Sequence, residues 1–108
     1  MDIINDKIPP SDLVIVRDCL VHLSNHDINK AIKNIKLSGS KYLLTTTFIN
    51  EKKNFDLATG NWRPLNLQLG PFNFQNPIYL IKENLPLIDN NSSHKYIGLW
   101  EISKLYKN

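Results

Sequence analysis

The sequence predicts an α/β fold in which two parallel strands are joined by a helix and followed by a C-terminal antiparallel hairpin. A short apolar run, "SDLVIV", is followed by a segment with helical periodicity and then by "KYLLTTTF", which is rich in β-branched and aromatic residues. Two further runs of strand-forming residues lie near the C-terminus. A strand, helix and strand in this order form a crossover unit, whose two strands usually run parallel.

The first predicted strand is "SDLVIV", which follows two prolines and ends near Arg17. Its apolar residues are continuous rather than alternating, a pattern typical of a strand that is buried on both faces of a parallel sheet. We therefore expect both faces of this strand to be covered.

The helix is predicted from about Asn25 to Ser38. Ser24 and Asp27 resemble a capping box, in which hydroxyl and carboxylate oxygens accept the free amide hydrogens of the first turn. Gly39 follows the last turn, where a left-handed residue commonly ends a helix. One apolar stripe recurs at helical spacing, and its members are Ile28, Ala31, Ile32 and Ile35.

The second half of the chain begins with an irregular segment. Residues 50–76 contain charged residues, glycines, prolines and aromatic residues without a clear period. After Pro77, "IYLIKENL" and "YIGLWEISKL" predict two strands, and the turn-forming "DNNSSH" between them favours antiparallel pairing.

Composition excludes several classes of protein. The 13 basic and 10 acidic residues give a net charge of +3 without a basic block, so nucleic acid is not the expected partner. Cys19 is the one cysteine, which rules out an intrachain disulfide. The segment "MDIINDK" lacks the features of a signal peptide, and no apolar run is long enough to span a membrane. We expect a soluble cytoplasmic protein.

Familiar catalytic motifs are missing from the sequence. Its four glycines form no phosphate-binding loop. His22 and His26 are four residues apart, but the predicted helix begins between them, and no third ligand is near in sequence, so no metal site is expected. Cys19 has no evident base beside it, and Ser24 serves as a cap, which argues against a nucleophilic triad.

The position of polar residues indicates where a site would lie. In open parallel sheets, ligands bind beyond the carboxyl ends of the strands. Arg17, Asp18 and Cys19 follow the first predicted strand, and the threonines of "TTTF" end the second. Both groups are expected at the same edge of the sheet.

These stretches carry a resemblance. "SDLVIVRDCLVHLS" resembles the fourth strand and following turn of the class I, Rossmann-like S-adenosylmethionine-dependent methyltransferases. "IKNIKLSGSKYLLTTTF", "TGNWRPLNLQLGPFNF" and "GLW" are similar to a subgroup of small microbial methyltransferases, so the resemblance covers about residues 7–105. That family has a seven-stranded sheet whose last strand is antiparallel. Gln75 stands where its pattern has proline.

The resemblance implies only the C-terminal, substrate-side half of such an enzyme. The family's Gly-rich loop and its ribose-binding acid have no counterpart in the 108 residues and would precede Met1. We therefore expect a single partial domain, 1–108, which lacks the N-terminal cofactor-binding half. The chain alone should bind S-adenosylmethionine weakly or not at all and should be inactive. It should either self-associate or pair with a separate N-terminal half.

The resemblance also implies roles for particular residues. Arg17, Asp18 and Cys19 match positions beside the methionine portion of the cofactor. Asp18 is the candidate base for methyl transfer to oxygen or nitrogen, with His22 second. The residues expected on the substrate side are Thr47, Trp62 and Arg63. The methyl acceptor, small or macromolecular, is not identified by the sequence.

Each assignment has a structural alternative. Arg17 serves equally well in a structural ion pair, and a hydrogen-bonded core position is the favoured alternative for His22. Trp62 would serve equally to close the irregular segment onto the sheet. The alternative function is a noncatalytic α/β interaction module that docks on another chain.

Overall fold

The computed structural model describes residues 2–83 and 95–107. It contains one α-helix, two short 3₁₀ turns at Leu20–His22 and Ile102–Lys104, and a four-stranded mixed sheet. The elements in chain order are β1 (Leu13–Val16), α1 (Asn25–Leu37), β2 (Tyr42–Thr47), β3 (Tyr79–Lys82) and β4 (Tyr96–Glu101). The predicted α/β class and the order of its elements are confirmed.

The strands lie in the order β1-β2-β4-β3. β1 pairs parallel with β2, and β4 pairs antiparallel with both β2 and β3. Thus β1, β2 and β3 run in one direction and β4 runs in the other, which makes two of the three pairings antiparallel. The predicted parallel pair and antiparallel hairpin strands are confirmed, whereas the insertion of β4 between β2 and β3 was not predicted. The predicted turn at 89–94 lies outside the described residues.

The predicted helix cap is present in a modified form. The Ser24 hydroxyl accepts the backbone N–H of Asp27 at 3.1 Å, as expected. The Asp27 carboxylate accepts the hydroxyl of Thr59 at 2.6 Å, and the Thr59 oxygen accepts the Ser24 backbone N–H at 2.9 Å. The threonine therefore relays the reciprocal bond of the capping box. At the other end, Gly39 has the left-handed φ of 74° that its position after the helix requires.

The core lies on one face of the sheet. The apolar stripe of α1 is fully buried, together with Leu43 of β2 and Trp100 of β4. Trp100 donates its indole N–H to the Gln75 carbonyl at 2.8 Å and packs edge-on against Phe74, with ring centroids 5.3 Å apart. The irregular segment 50–76 completes the core with the buried side chains of Leu65, Leu67, Phe72 and Phe74.

The opposite face of the sheet remains largely exposed. Ile15 of β1 is 62% exposed and Leu13 is 42% exposed, so the prediction that β1 is buried on both faces is wrong. Alternate strand residues point to opposite faces, and α1 packs on only one of them. We call the exposed side the open face. Its apolar and aromatic residues are Leu13, Ile15, Tyr42, Leu44, Tyr79, Ile81, Ile97 and Leu99.

Gly98 is required by the position of the Trp100 ring. A Cβ atom at position 98 would lie 2.6 Å from two carbon atoms of that ring, closer than side-chain atoms normally approach. Trp100 is only 1% exposed, so the ring has no free space into which it could move. We expect Gly98→Ala to lower the free energy of unfolding by about 1–3 kcal/mol, as overpacking of a core does. Urea denaturation measures this change.

The matched control is Gly70→Ala. A Cβ at Gly70 would make only ordinary contacts, the nearest being 3.7 Å from the Asn73 side chain. Its effect on the unfolding free energy should be clearly smaller than that of Gly98→Ala. Equal stability of the two variants would contradict the steric explanation for Gly98.

Candidate functional site

Four charged side chains meet at one edge of the sheet. Arg17 and Asp18 follow β1, Glu83 follows β3, and Lys95 precedes β4, which runs in the opposite direction. Arg17 pairs with Glu83, and Lys95 pairs with both Asp18 and Glu83, its ammonium lying 2.9 Å from Glu83 Oε2. We call these residues the ion cluster. It joins β1, at one side of the sheet, to β3, at the other.

The ion cluster has a buried part and an exposed part. The side chains of Glu83 and Lys95 are 8% and 15% exposed, whereas those of Arg17 and Asp18 are 58% and 47% exposed. Two positive and two negative groups balance, so the buried carboxylate has compensating charge beside it. Glu83 Oε2 is held by its ion pair with Lys95, whose ammonium lies 2.9 Å away.

Lys95 is the central cation of the ion cluster. Its burial disfavours the charged form, but hydrogen bonds and charge attraction from Asp18 and Glu83 outweigh that cost and raise the pKa of Lys95 above its usual value. The ammonium therefore stays protonated at neutral pH. It holds the Asp18 carboxylate at a fixed place on the edge of the sheet.

The backbone of Asp18 has an unusual conformation. Its φ is 54°, in the left-handed region, which aspartate adopts more readily than most residues. The Asp18 N–H donates to the hydroxyl of Thr46 at 2.9 Å. This bond fixes the exit of β1 against the end of β2 and directs Arg17 and Asp18 to the edge. The predicted proximity of Asp18 to the threonines of β2 is confirmed.

Cys19 and His22 lie just beyond this exit. Cys19 is half-buried against the core, and burial raises the pKa of its thiol, so it is poorly suited to act as a thiolate at neutral pH. His22 is exposed, and its Nδ1 lies 3.0 Å from the Asn61 carbonyl. His22 is therefore hydrogen-bonded as expected but does not lie in the core. Its ring is fixed by the irregular segment.

The three residues expected on the substrate side have different positions. Trp62 is 55% exposed and packs edge-on against Phe48, which directly follows β2, with ring centroids 5.9 Å apart. Thr47 is fully buried, and its hydroxyl bonds the backbone of Leu65 and Leu67. Trp62 is thus available to a ligand near the end of β2, whereas Thr47 holds the irregular segment against the sheet.

Arg63 is buried within the irregular segment. Its guanidinium donates four hydrogen bonds, to the backbone carbonyls of Phe55, Leu20 and Val21 and to the side-chain oxygen of Asn25. These acceptors belong to the irregular segment, the first 3₁₀ turn and the start of α1. Four of its five N–H groups are therefore used within the protein. Arg63 links the irregular segment to the first 3₁₀ turn and to α1, and it does not face a ligand.

Glu83 and Lys95 were not identified from the sequence. Glu83 follows "IYLIK", and the rule that polar residues after a strand mark a site applies to it as it does to Arg17. It could have been found if β3 had been predicted to run in the same direction as β1. Lys95 precedes its strand, so only the antiparallel direction of β4 brings it to this edge.

Metal and membrane features are absent from the described residues. Within 2–83 and 95–107, no group of three or more histidine, cysteine, aspartate or glutamate side chains is arranged to hold a metal ion. No helix in this part of the chain combines the length and apolar character needed to cross a membrane.

Comparison of the chain with protein-family models, with curated proteins and with solved structures gives no match.

Proposed function

We propose that this chain is the substrate-side half of a class I S-adenosylmethionine-dependent methyltransferase. The observation that carries the proposal is the ion cluster, because it places Asp18 and Arg17 at the carboxyl end of a parallel strand, where α/β enzymes bind their ligands. The exposed parts of both side chains are available at this edge.

The topology of the sheet supports the same proposal. Its last strand, β4, is antiparallel to both neighbours, as the last strand is in the family that the sequence resembles. β1 lies at one side of the described sheet and pairs only with β2 among the described strands. A cofactor-binding half could extend the sheet at that strand.

The residues present fit part of S-adenosylmethionine. The Arg17 guanidinium suits the carboxylate of the methionine portion, and Asp18 lies beside it at the same edge. The 108 residues contain no Gly-rich loop, so the nucleoside portion needs partners from other sequence. When bound, this cofactor supplies an electrophilic methyl group.

The chain's own contribution to methyl transfer is positioning and proton removal. Direct transfer requires the acceptor atom to be held ~3 Å from the methyl group and shielded from water. Trp62 offers an exposed ring beside the end of β2, suited to cover an acceptor. Asp18, oriented by Lys95 and Thr46, takes the acceptor proton as transfer proceeds.

The test is a comparison of cofactor binding with and without a cofactor-binding half. We expect calorimetric titration of the isolated chain with S-adenosylmethionine to show no micromolar binding, because the nucleoside and part of the methionine would lack partners. A reading frame that encodes a Gly-rich strand, loop and helix is expected in the DNA upstream. We call the product of that frame fused to this chain the joined protein, and it should bind S-adenosylmethionine with a dissociation constant in the micromolar range. Tight binding to the isolated chain, or none to the joined protein, would contradict the proposal.

The alternative is a noncatalytic interaction module. The open face favours it, because an apolar sheet surface suits a partner chain as well as an enzyme half. This alternative predicts that no upstream frame encodes a Gly-rich loop and that the cofactor does not bind in any context. The same sequencing and titration therefore distinguish the two functions.

A further inference from the structure

The open face forms a continuous apolar surface across all four strands. Ile15, Leu44, Leu99 and Tyr79 are directly paired neighbours and form one row from β1 to β3. Ile97 and Ile81 continue the surface in the next row, and Leu13 extends it on the other side. Ile15, Tyr79 and Ile81 are each at least 60% exposed. An antiparallel sheet that leaves one face in water usually carries polar residues there, whereas this face carries apolar ones, so the surface is suited to a partner.

The open face is large for a surface that stays in water. The four most exposed side chains, Leu13, Ile15, Tyr79 and Ile81, leave on the order of 400 Å² accessible, as much as the largest apolar patch of a typical monomer. With the half-buried side chains included, two such faces would bury on the order of 1,000 Å² in total, the lower limit for a specific interface. An area at this lower limit suits a reversible dimer rather than a permanent one.

The chemistry of the open face suits a second copy of the same chain. A two-fold interface places the same surface on both sides, so it must be compatible with itself. Within the described residues, the central row of Ile15, Leu44, Leu99 and Tyr79 contains no charged side chain. Charges flank this row, because Glu101 lies in the row of Leu13 and Arg17 follows Ile15 by two residues and pairs with Glu83. Two copies would therefore not repel each other at the central row. Two sheets pack face to face about 10 Å apart, with interdigitating side chains.

We infer that two copies of this chain associate through their open faces in solution. The interface is centred on the row of Ile15, Leu44, Leu99 and Tyr79. The inference is tested on the chain alone and without cofactor, because a cofactor-binding half of a Rossmann-like sheet would cover this same face. Failure of the dimer therefore leaves the titration test of the proposed function unaffected.

The first experiment measures the mass of the purified chain by sedimentation over a wide concentration range. The wild type is expected to shift from monomer to dimer in the micromolar range. Ile15→Lys and Ile81→Lys each place a charge on the open face and should weaken the dimer at least about tenfold. Leu37→Lys and Phe55→Lys are the matched controls, since these residues are 75% and 62% exposed but lie outside the open face. They should leave the association unchanged.

The second experiment does not depend on a charge being tolerated. In a Cys19→Ser background, Ile15→Cys should react with a maleimide more slowly as protein concentration rises, because the dimer covers it. A chain that stays monomeric throughout the range, or equal weakening by the control and open-face variants, would overturn the inference. A reaction rate independent of concentration would also overturn it.

Discussion

Arg63→Ala is expected to lower the free energy of unfolding by about 3–5 kcal/mol, enough to unfold a small domain in mild denaturant. The change removes four hydrogen bonds at once and leaves the carbonyls of Leu20 and Val21 with one backbone donor each, from Leu23 and from Arg63 itself. Burial lowers the pKa of Arg63, and the nearby Asp56 charge opposes that shift, but the guanidinium remains charged at any ordinary pH. Urea titration followed by circular dichroism measures the loss.

Two further variants separate this role from a general effect of charge. Arg63→Lys keeps the positive charge but cannot supply a planar fork to four acceptors, so it should recover only part of the lost stability. Arg17→Ala removes the chain's other arginine, whose side chain is 58% exposed, and should cost less than Arg63→Ala, because Lys95 still pairs with the buried Glu83. Wild-type stability of Arg63→Lys, or equal losses of stability in Arg63→Ala and Arg17→Ala, would show that the four guanidinium hydrogen bonds do not stabilise the irregular segment.

The consequence of losing Arg63 extends to the edge of the sheet. Its partners lie in the turn that carries His22 and at the start of α1, and Arg63 directly follows Trp62 in the chain. The backbone N–H of Arg63 also donates to the Val21 carbonyl, and Gly60 donates to the His22 carbonyl. The irregular segment thus supports the turn that carries His22 and the start of α1, and these hydrogen bonds explain its length.

The helix could be predicted closely because its signals are local. The Ser24 cap, the apolar stripe and Gly39 all lie within the sixteen residues 24–39, and each determines an end or a face directly. The relay through Thr59 could not be predicted, since that residue is 35 positions from Ser24. Local chemistry indicated which groups needed partners but not which distant residue would supply them.

The order of the strands depends on contacts that the sequence does not display. "YIGLWE" pairs with two strands, and either pairing alone would satisfy the alternation of its side chains. The insertion of β4 between β2 and β3 follows from packing Trp100 into the core beside Leu43. The ion cluster could not be recognised without that order, because its four members are brought together from residues 17 and 18, 83 and 95.

The apolar run of β1 predicts burial on both faces, but only one face is buried. Hydrophobicity alone does not distinguish a residue on the covered face of the sheet from one on the exposed face. Val16 is 5% exposed and Ile15 is 62% exposed, although the two residues are adjacent and equally apolar. The difference arises from what packs on each face of the sheet. The sequence pattern therefore predicts that both faces of β1 are apolar, and the structure shows that α1 covers only the face that carries Val16.

In the joined protein, Asp18→Asn is expected to lower the rate of methyl transfer by about 100-fold or more, which is the usual contribution of a positioned base. The change should cost little stability, because asparagine also tolerates the left-handed φ of 54° and Lys95 keeps its ion pair with Glu83. Asp12→Asn, at the other end of the same strand, is the matched control and should leave turnover unchanged.

Leu20→Ala should have the opposite pattern of effects. Leu20 is only 2% exposed, so its truncation should lower the free energy of unfolding by about 2–5 kcal/mol through the cavity it leaves. The folded fraction of that variant should retain most of its turnover, since the side chain faces the core and not the ion cluster. Urea denaturation and the rate of S-adenosylhomocysteine formation, measured on both variants, separate stability from chemistry. Unaltered turnover in Asp18→Asn would remove Asp18 from the mechanism and leave the ion cluster with a purely structural role at the exit of β1.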